Sequence, residues 1–147
     1  MSSFQIIVGS MLGGSEYVAE ACQETLESLA HQTELHLTPV FDEISHKNQT
    51  WLICTSTHGA GEFPDNIQAF VQDLINCDQD LSSTQFLVIG VGDSSYDTFC
   101  QAAKNIEKTL LSKGCTKVAN KLELDMSQDI DPEELSQTWL LSIKDQL

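Results

Sequence analysis

Gly9-Ser10-Met11-Leu12-Gly13-Gly14-Ser15-Glu16 stands between an apolar run, Phe4 to Val8, and a stretch from Tyr17 to Ala30 with helical spacing. The apolar run reads as a buried strand. Val18, Cys22, Leu26 and Leu29 read as the inward face of a helix. A strand, a small-residue turn and a helix start together make a place to hold an anion. Glycines let backbone N–H groups converge, and the first amides of a helix have no partner within it. Ser10 and Ser15 add hydroxyls, and the loop carries neither Lys nor Arg. An anion here is held by backbone and hydroxyls, without a countercharge. The same stretch also reads as a plain βα turn whose Gly and Ser only cap the helix. Taken alone, it does not decide between the two.

Outward from this stretch the chain keeps alternating. Thr33 to Pro39 has Leu35 and Leu37 between polar residues, the pattern of a strand near a sheet edge. Phe41 to Asn48 reads as a polar connection. Trp51 to Thr55 is a buried strand that runs into Ser56-Thr57-His58-Gly59-Ala60-Gly61-Glu62-Phe63-Pro64-Asp65-Asn66. Asp65 or Asn66 is expected to cap a helix bearing Ile67, Phe70, Val71 and Leu74. Gln85 to Val91 is a fourth strand, followed by Gly92-Asp93-Ser94-Ser95-Tyr96-Asp97-Thr98. The next helix shows Phe99, Ala102, Ala103, Ile106 and Leu110 on one face and ends at Gly114. Lys117 to Leu124 reads as a fifth strand. Asp131-Pro132-Glu133 opens a last helix with Leu135, Trp139 and Ile143 as its buried face. The order predicts an α/β fold, a doubly wound parallel sheet of five strands with helices on both faces. A single domain spanning 1–147 is expected. In such folds the ligand lies beyond the C-terminal ends of the strands. The loops leaving strands one, three and four open there together, which favours the anion site over the plain turn.

Composition narrows the chemistry. Seven Lys+Arg against 22 Asp+Glu give a net charge of -15. That balance repels nucleic acid and anionic membrane surfaces and favours partners with basic faces. The five cysteines are odd in number and form no C-x-x-C, so reduced thiols in a cytoplasmic protein are expected, with no metal site. No basic region precedes the first short apolar run, so no signal peptide is expected, and no run is long enough to span a bilayer.

The loops themselves exclude several chemistries. No Lys follows Gly14, as a P-loop requires, and Gly9, Gly13 and Gly14 do not have G-x-G-x-x-G spacing. No pair of acids follows the first strand, as a phospho-receiver needs. One phosphate held without countercharge remains. The other two loops each present a ring, His58 and Tyr96. Each has a plain alternative: His58 as a hydrogen-bonding loop residue, Tyr96 as a cap on the sheet edge. Rings on opposite loops can sandwich a flat heteroaromatic group. With the phosphate loop, they point to flavin mononucleotide (FMN).

The three loops, with Asp65-Asn66 and Phe99, resemble those of the short-chain flavodoxins, most closely the MioC-type flavodoxin-like proteins of bacteria. They are similar, almost as well, to the FMN domain of diflavin reductases. The likeness runs in order along essentially the whole chain. It implies a flavodoxin-like sheet of order 2-1-3-4-5 with FMN as the cofactor. Ser10 and Ser15, with the backbone of Met11, Leu12, Gly13 and Gly14, would hold the phosphate. Thr57, His58, Gly59, Ala60 and Gly61 would border one face and the redox edge of the isoalloxazine. Tyr96 would stack on the other face, with Phe99 beside it, and Gly92 and Asp93 would contact the pyrimidine end. In the family, a Gly in the position of Gly59 turns its carbonyl toward flavin N5–H on one-electron reduction. Two departures stand out. The family usually has Thr where Leu12 stands, and Trp or Tyr where His58 stands, so weaker flavin retention is expected.

The function implied is a one-electron carrier without catalytic residues of its own, monomeric and cytoplasmic. It would work between a flavodoxin reductase-type donor and redox acceptor enzymes with basic faces. Glu16, Glu62, Asp65, Asp93 and Asp97 beside the loops would disfavour an anionic reduced flavin and steer basic partners, although they also read as helix caps. An FMN-dependent NAD(P)H:quinone-type reductase and a cofactor-free interaction module of the same fold stay open as alternatives.

Overall fold

The computed structural model describes residues 2–10 and 13–147. β1 (Ser3–Gly9), β2 (Gln32–His36), β3 (Thr50–Ser56) and β4 (Gln85–Gly92) form one parallel sheet. The short segments β5 (Thr116–Lys117) and β6 (Leu122–Asp125) both pair with β4, also in parallel. The order is β2-β1-β3-β4-β5, as the alternation and the resemblance together predict. β1, β3 and β4 are nearly continuous apolar strands because both of their faces are covered.

The pleat divides those strands into two cores. Ile7, Ile53 and Val88 face α2 (Asp65–Asn76) and α3 (Gln101–Ser112), meeting Ile67, Phe70, Ile106 and Leu110. Ile6, Val8, Leu52, Cys54, Leu87 and Ile89 face α1 (Gly14–Ser28) and α4 (Pro132–Ser142), meeting Val18, Cys22, Leu26 and Leu140. Each fully buried side chain of this size contributes about 1.5–3 kcal/mol through its removal from water. Gly90 lies where β4 and α3 leave no room for a side chain: a Cβ built there would stand 2.8 Å from the Cβ of Ala103.

Four details depart from the expectations. The fifth strand is two pieces. Between Lys117 and Leu122 the edge advances five residues while β4 advances three, from Phe86 to Ile89. The two extra residues form a bulge that interrupts the outer edge. The buried line of α4 is Ser136 and Leu140, while Leu135 is exposed and Trp139 and Ile143 are only partly covered. Ser136 Oγ turns back to donate to the Pro132 carbonyl, and Gln137 Nε2 ties α4 to α1 by donating to the Ala21 carbonyl at 3.1 Å. Phe41 to Asn48 is not wholly polar in role. Phe41 and Ile44 are buried, and Phe41 joins Trp51 and Phe70 in an aromatic cluster with ring centroids 5.7–6.3 Å apart. α2 starts at Asp65 behind Pro64 with no side-chain cap, so Asn66 is free for other work. By contrast, α4 opens at Asp131-Pro132-Glu133 as expected, and Asp131 caps it, accepting from Glu134 N at 3.1 Å.

Candidate functional site

The loops leaving β1, β3 and β4 emerge on the same edge of the sheet, because the strands are parallel. Between the second and third of them lies a cleft of about 410 Å³. Thr57, Gly59, Gly92, Asp93, Tyr96 and Phe99 line it, all residues expected from the sequence. Thr98, Cys100 and Met126 line it as well and were not singled out. Met126 arrives from the β6–α4 loop, where its N–H donates to the Gly92 carbonyl at 2.7 Å. Nothing in a local pattern ties it to that loop.

The second loop is a tight hairpin. His58 and Glu62 form an antiparallel bridge, with N–H to carbonyl bonds of 2.8 Å in both directions. Gly59 (φ +51°) and Gly61 (φ +106°) occupy backbone conformations that disfavour side chains, which is why the turn carries them. His58, Ala60 and Gly61 belong to this hairpin but are not among the residues lining the cleft. Of the two expected rings, Tyr96 reaches the cleft, 68% exposed, and His58 is exposed on the hairpin.

The third loop is held by carboxylates. Asp93 accepts from Ser95 N at 2.9 Å and from the Ser95 hydroxyl, folding its own loop. Asp125 accepts from Ser94 N at 3.0 Å and from Ser127 N and Oγ at 3.0 and 2.6 Å, joining this loop to the one that carries Met126. The Ser127 hydroxyl first, and Ser94 after it, hold the Asp125 carboxyl well below the usual carboxylate range. Cys100 sits behind the cleft, buried between Gly90 and Gly92, and burial pushes its thiol up to about 12. It is a protonated, unreactive thiol at neutral pH.

The first loop is pinned from outside. Asn66 accepts from Ser10 N at 2.9 Å and donates to the carbonyls of Val8 (2.8 Å) and Leu37 (3.0 Å). One amide side chain thus ties the end of β1, the start of its loop and the end of β2. Met11 and Leu12 lie outside the described residues. Ser10 Oγ accepts from Gly13 N at 2.8 Å, so these two groups satisfy each other across the loop. Gly13 (φ +88°) leads into α1, and a Cβ on Gly14 would meet nothing within 4 Å. Ser15, the second residue of α1, is fully buried, and its hydroxyl has no hydrogen-bond partner among the described residues. A buried unpartnered hydroxyl is costly unless something else satisfies it. An uncharged cup with one spare donor at a helix start fits a phosphate group, and the ring-lined cleft on the same edge fits a planar heterocycle.

Among the described residues no group of His, Cys, Asp and Glu is placed to hold a metal ion, and no helix is long and apolar enough to cross a membrane. All five cysteines are free thiols.

Comparison with known proteins bears on this arrangement. The sequence model of the flavodoxin family matches residues 6–139. The chain is 44% identical over 142 residues to the MioC homolog of Pasteurella multocida, covering 97% of this chain and 96% of that one. It is 30% identical over 141 residues to flavodoxin YqcA of Escherichia coli, with 95% of each chain covered. In three dimensions it is similar to a cysteine-to-serine variant of the flavodoxin from Pseudomonas aeruginosa, with a TM-score of 0.91, 30% identity and coverage of 99% and 98%.

Proposed function

The chain belongs to the flavodoxin family, and from that membership we propose that it binds FMN at the sheet edge just described and carries electrons one at a time between redox enzymes. Bound flavin supplies the redox chemistry; the protein supplies binding, orientation and electrostatics. Ser15, the start of α1 and the Ser10–Gly13 loop hold the phosphate. Thr57, Gly59, Gly92, Asp93, Tyr96 and Phe99, which line the cleft, would enclose the ring, with Tyr96 available to stack on it, and the hairpin from His58 to Gly61 would border it. The observation that carries this reading is the cleft between the β3 and β4 loops, which shares a sheet edge with the Ser15 hydroxyl, unpartnered among the described residues.

Flavodoxins are electron carriers rather than enzymes, and they work through redox partners. For this chain we read a monomer without catalytic residues, working in the cytoplasm, in keeping with five free thiols. Its partners are a reductase-type donor and acceptors with basic faces. The charge distribution supports the last point and refines it. α1 carries four acids, α2 and α4 two each, and none of the three carries a lysine; α3 carries Lys104 and Lys108. Lys117 and Lys121 lie beside it and pair with Glu107 at 4.0 and 3.3 Å. A basic partner is therefore drawn to the acidic side of the cleft and turned away from the α3 side.

The test is titration of the apoprotein with FMN and with riboflavin, which has the same ring and no phosphate. One-to-one binding of both, with FMN the tighter, is expected. Binding of neither would refute the reading.

A further inference from the structure

Two threonines on facing loops each tie one wall of the cleft to the other side's loop or helix. Thr57 follows β3 and Thr98 follows β4, and both line the cleft. Thr57 Oγ1 accepts from Ala102 N at 3.0 Å. Ala102 is the second residue of α3, whose own N-cap, Cys100, has φ +52° and gives no side-chain cap. An oxygen that satisfies the second amide of a helix does the work of an N-cap, so here the cap of α3 comes from another loop. Thr98 Oγ1 donates in the other direction, to the Gly59 carbonyl at 3.3 Å. Its methyl lies over the other glycine of the hairpin, 3.6 Å from where a Cβ on Gly61 would stand. The hairpin is internally rigid through its His58–Glu62 pair, so these two bonds fix where it stands as a unit.

We infer that Thr57 and Thr98 act as positioning residues, a two-bond clamp that sets the separation of the cleft walls before a ligand enters. Thr57 therefore serves chiefly as the cap of α3, with its hydroxyl committed away from any ligand. The part of this inference that concerns the ring rests on the flavin reading of the cleft; the clamp itself does not. A pre-set slot binds a planar ring more tightly, because less ordering remains to be done on binding.

The experiment uses four variants of the full chain. Thr98→Val and Thr57→Val keep the branched shape and remove the hydroxyl; Thr98→Ser and Thr57→Ser keep the hydroxyl. Each is titrated with riboflavin, FMN and inorganic phosphate, and amide hydrogen exchange is followed in the flavin-free protein. Loss of one neutral hydrogen bond corresponds to about fivefold in affinity. Each Val variant is expected to bind riboflavin and FMN about fivefold more weakly, with phosphate binding unchanged. Ala102 N–H should exchange faster in Thr57→Val. The His58 and Glu62 amides should exchange faster in Thr98→Val, and both Ser variants should restore the wild-type values. Wild-type riboflavin affinity and wild-type exchange in the Val variants would overturn the clamp. Equal loss in the Val and Ser variants would also overturn it, since the disturbed packing common to both, and not the hydroxyl, would then be responsible. If the wild-type chain bound neither flavin, the reading of the cleft would fall with the ring's part in the inference. The exchange rates would still decide for or against the clamp.

Discussion

Single atoms decide much of what this site can do. Ser15 Oγ has no hydrogen-bond partner among the described residues, so Ser15→Ala breaks none of the hydrogen bonds seen there. The same change is expected to weaken FMN binding by about tenfold while leaving riboflavin binding unchanged, the signature of a phosphate contact. Equal losses for both ligands would place the hydroxyl elsewhere. Gly90 lies under α3 with no room for a Cβ. Gly90→Ala is expected to cost about 1–3 kcal/mol, read from the urea midpoint, because the helix must move to make space. Asp125 gives a pH dependence with a definite sign. Its folded-state pKa is depressed, so its contribution is fully present above about pH 4, the unfolded value. It is lost as pH falls through the folded value. Stability measured against pH should therefore drop more gently on the acid side in Asp125→Asn than in the wild type. Thiol chemistry follows burial. Burial raises Cys115 to about 11, and a hydrogen bond with Cys22 followed by burial raises Cys54. Cys77 is the half-buried one, and a brief exposure of the native protein to an alkylating reagent should modify it first.

At the scale of elements, Asn66 joins β1, its loop and β2 through three hydrogen bonds. Asn66→Ala is expected to lower stability by about 2 kcal/mol and to weaken FMN binding, seen by unfolding and titration together. An unaltered FMN affinity would detach the residue from the phosphate loop. This residue also marks the limit of what the sequence makes legible. Period-two and period-3.6 patterns, with Gly and Pro punctuation, were enough for most strands, the helices and a parallel sheet, because burial on two faces leaves a local imprint at every position; the strand order came from the family resemblance. Asn66 followed by Ile67 looks like a helix cap by the same local logic. Its actual bonds reach Val8 and Ser10, more than fifty positions away, and no local pattern encodes them. Thr57 is similar: its place beside the cleft was readable, and its bond to Ala102 was not. The broken fifth strand was missed because alternation over Lys117 to Leu124 is compatible with an unbroken edge. Only the pairing with β4 reveals the two extra residues. The final helix offers apolar residues on two sides, and small Ser136 is buried while Leu135 is exposed.

Over the whole molecule, charge and cofactor site act together. A net charge of -15 with five of the seven lysines on or beside α3 gives the protein a directed field. Electron transfer to a small basic redox protein such as cytochrome c should slow as salt rises from about 0.05 to 0.5 M. Lys104→Gln with Lys108→Gln should speed it at low salt. No change in rate would remove the orienting role given to the lysines. Such a carrier needs a separate reductase, so NAD(P)H alone should not reduce the protein or sustain quinone turnover. This uncharged phosphate cup and the neighbouring cleft are proposed to hold FMN for one-electron transfer. The most direct measurement is the visible spectrum of the protein with one equivalent of FMN, followed through stepwise reduction under anaerobic conditions. The account predicts a bound, perturbed flavin spectrum and two separate one-electron potentials that both differ from those of free FMN. A spectrum identical to free FMN, or the unshifted potentials of the free cofactor, would contradict it.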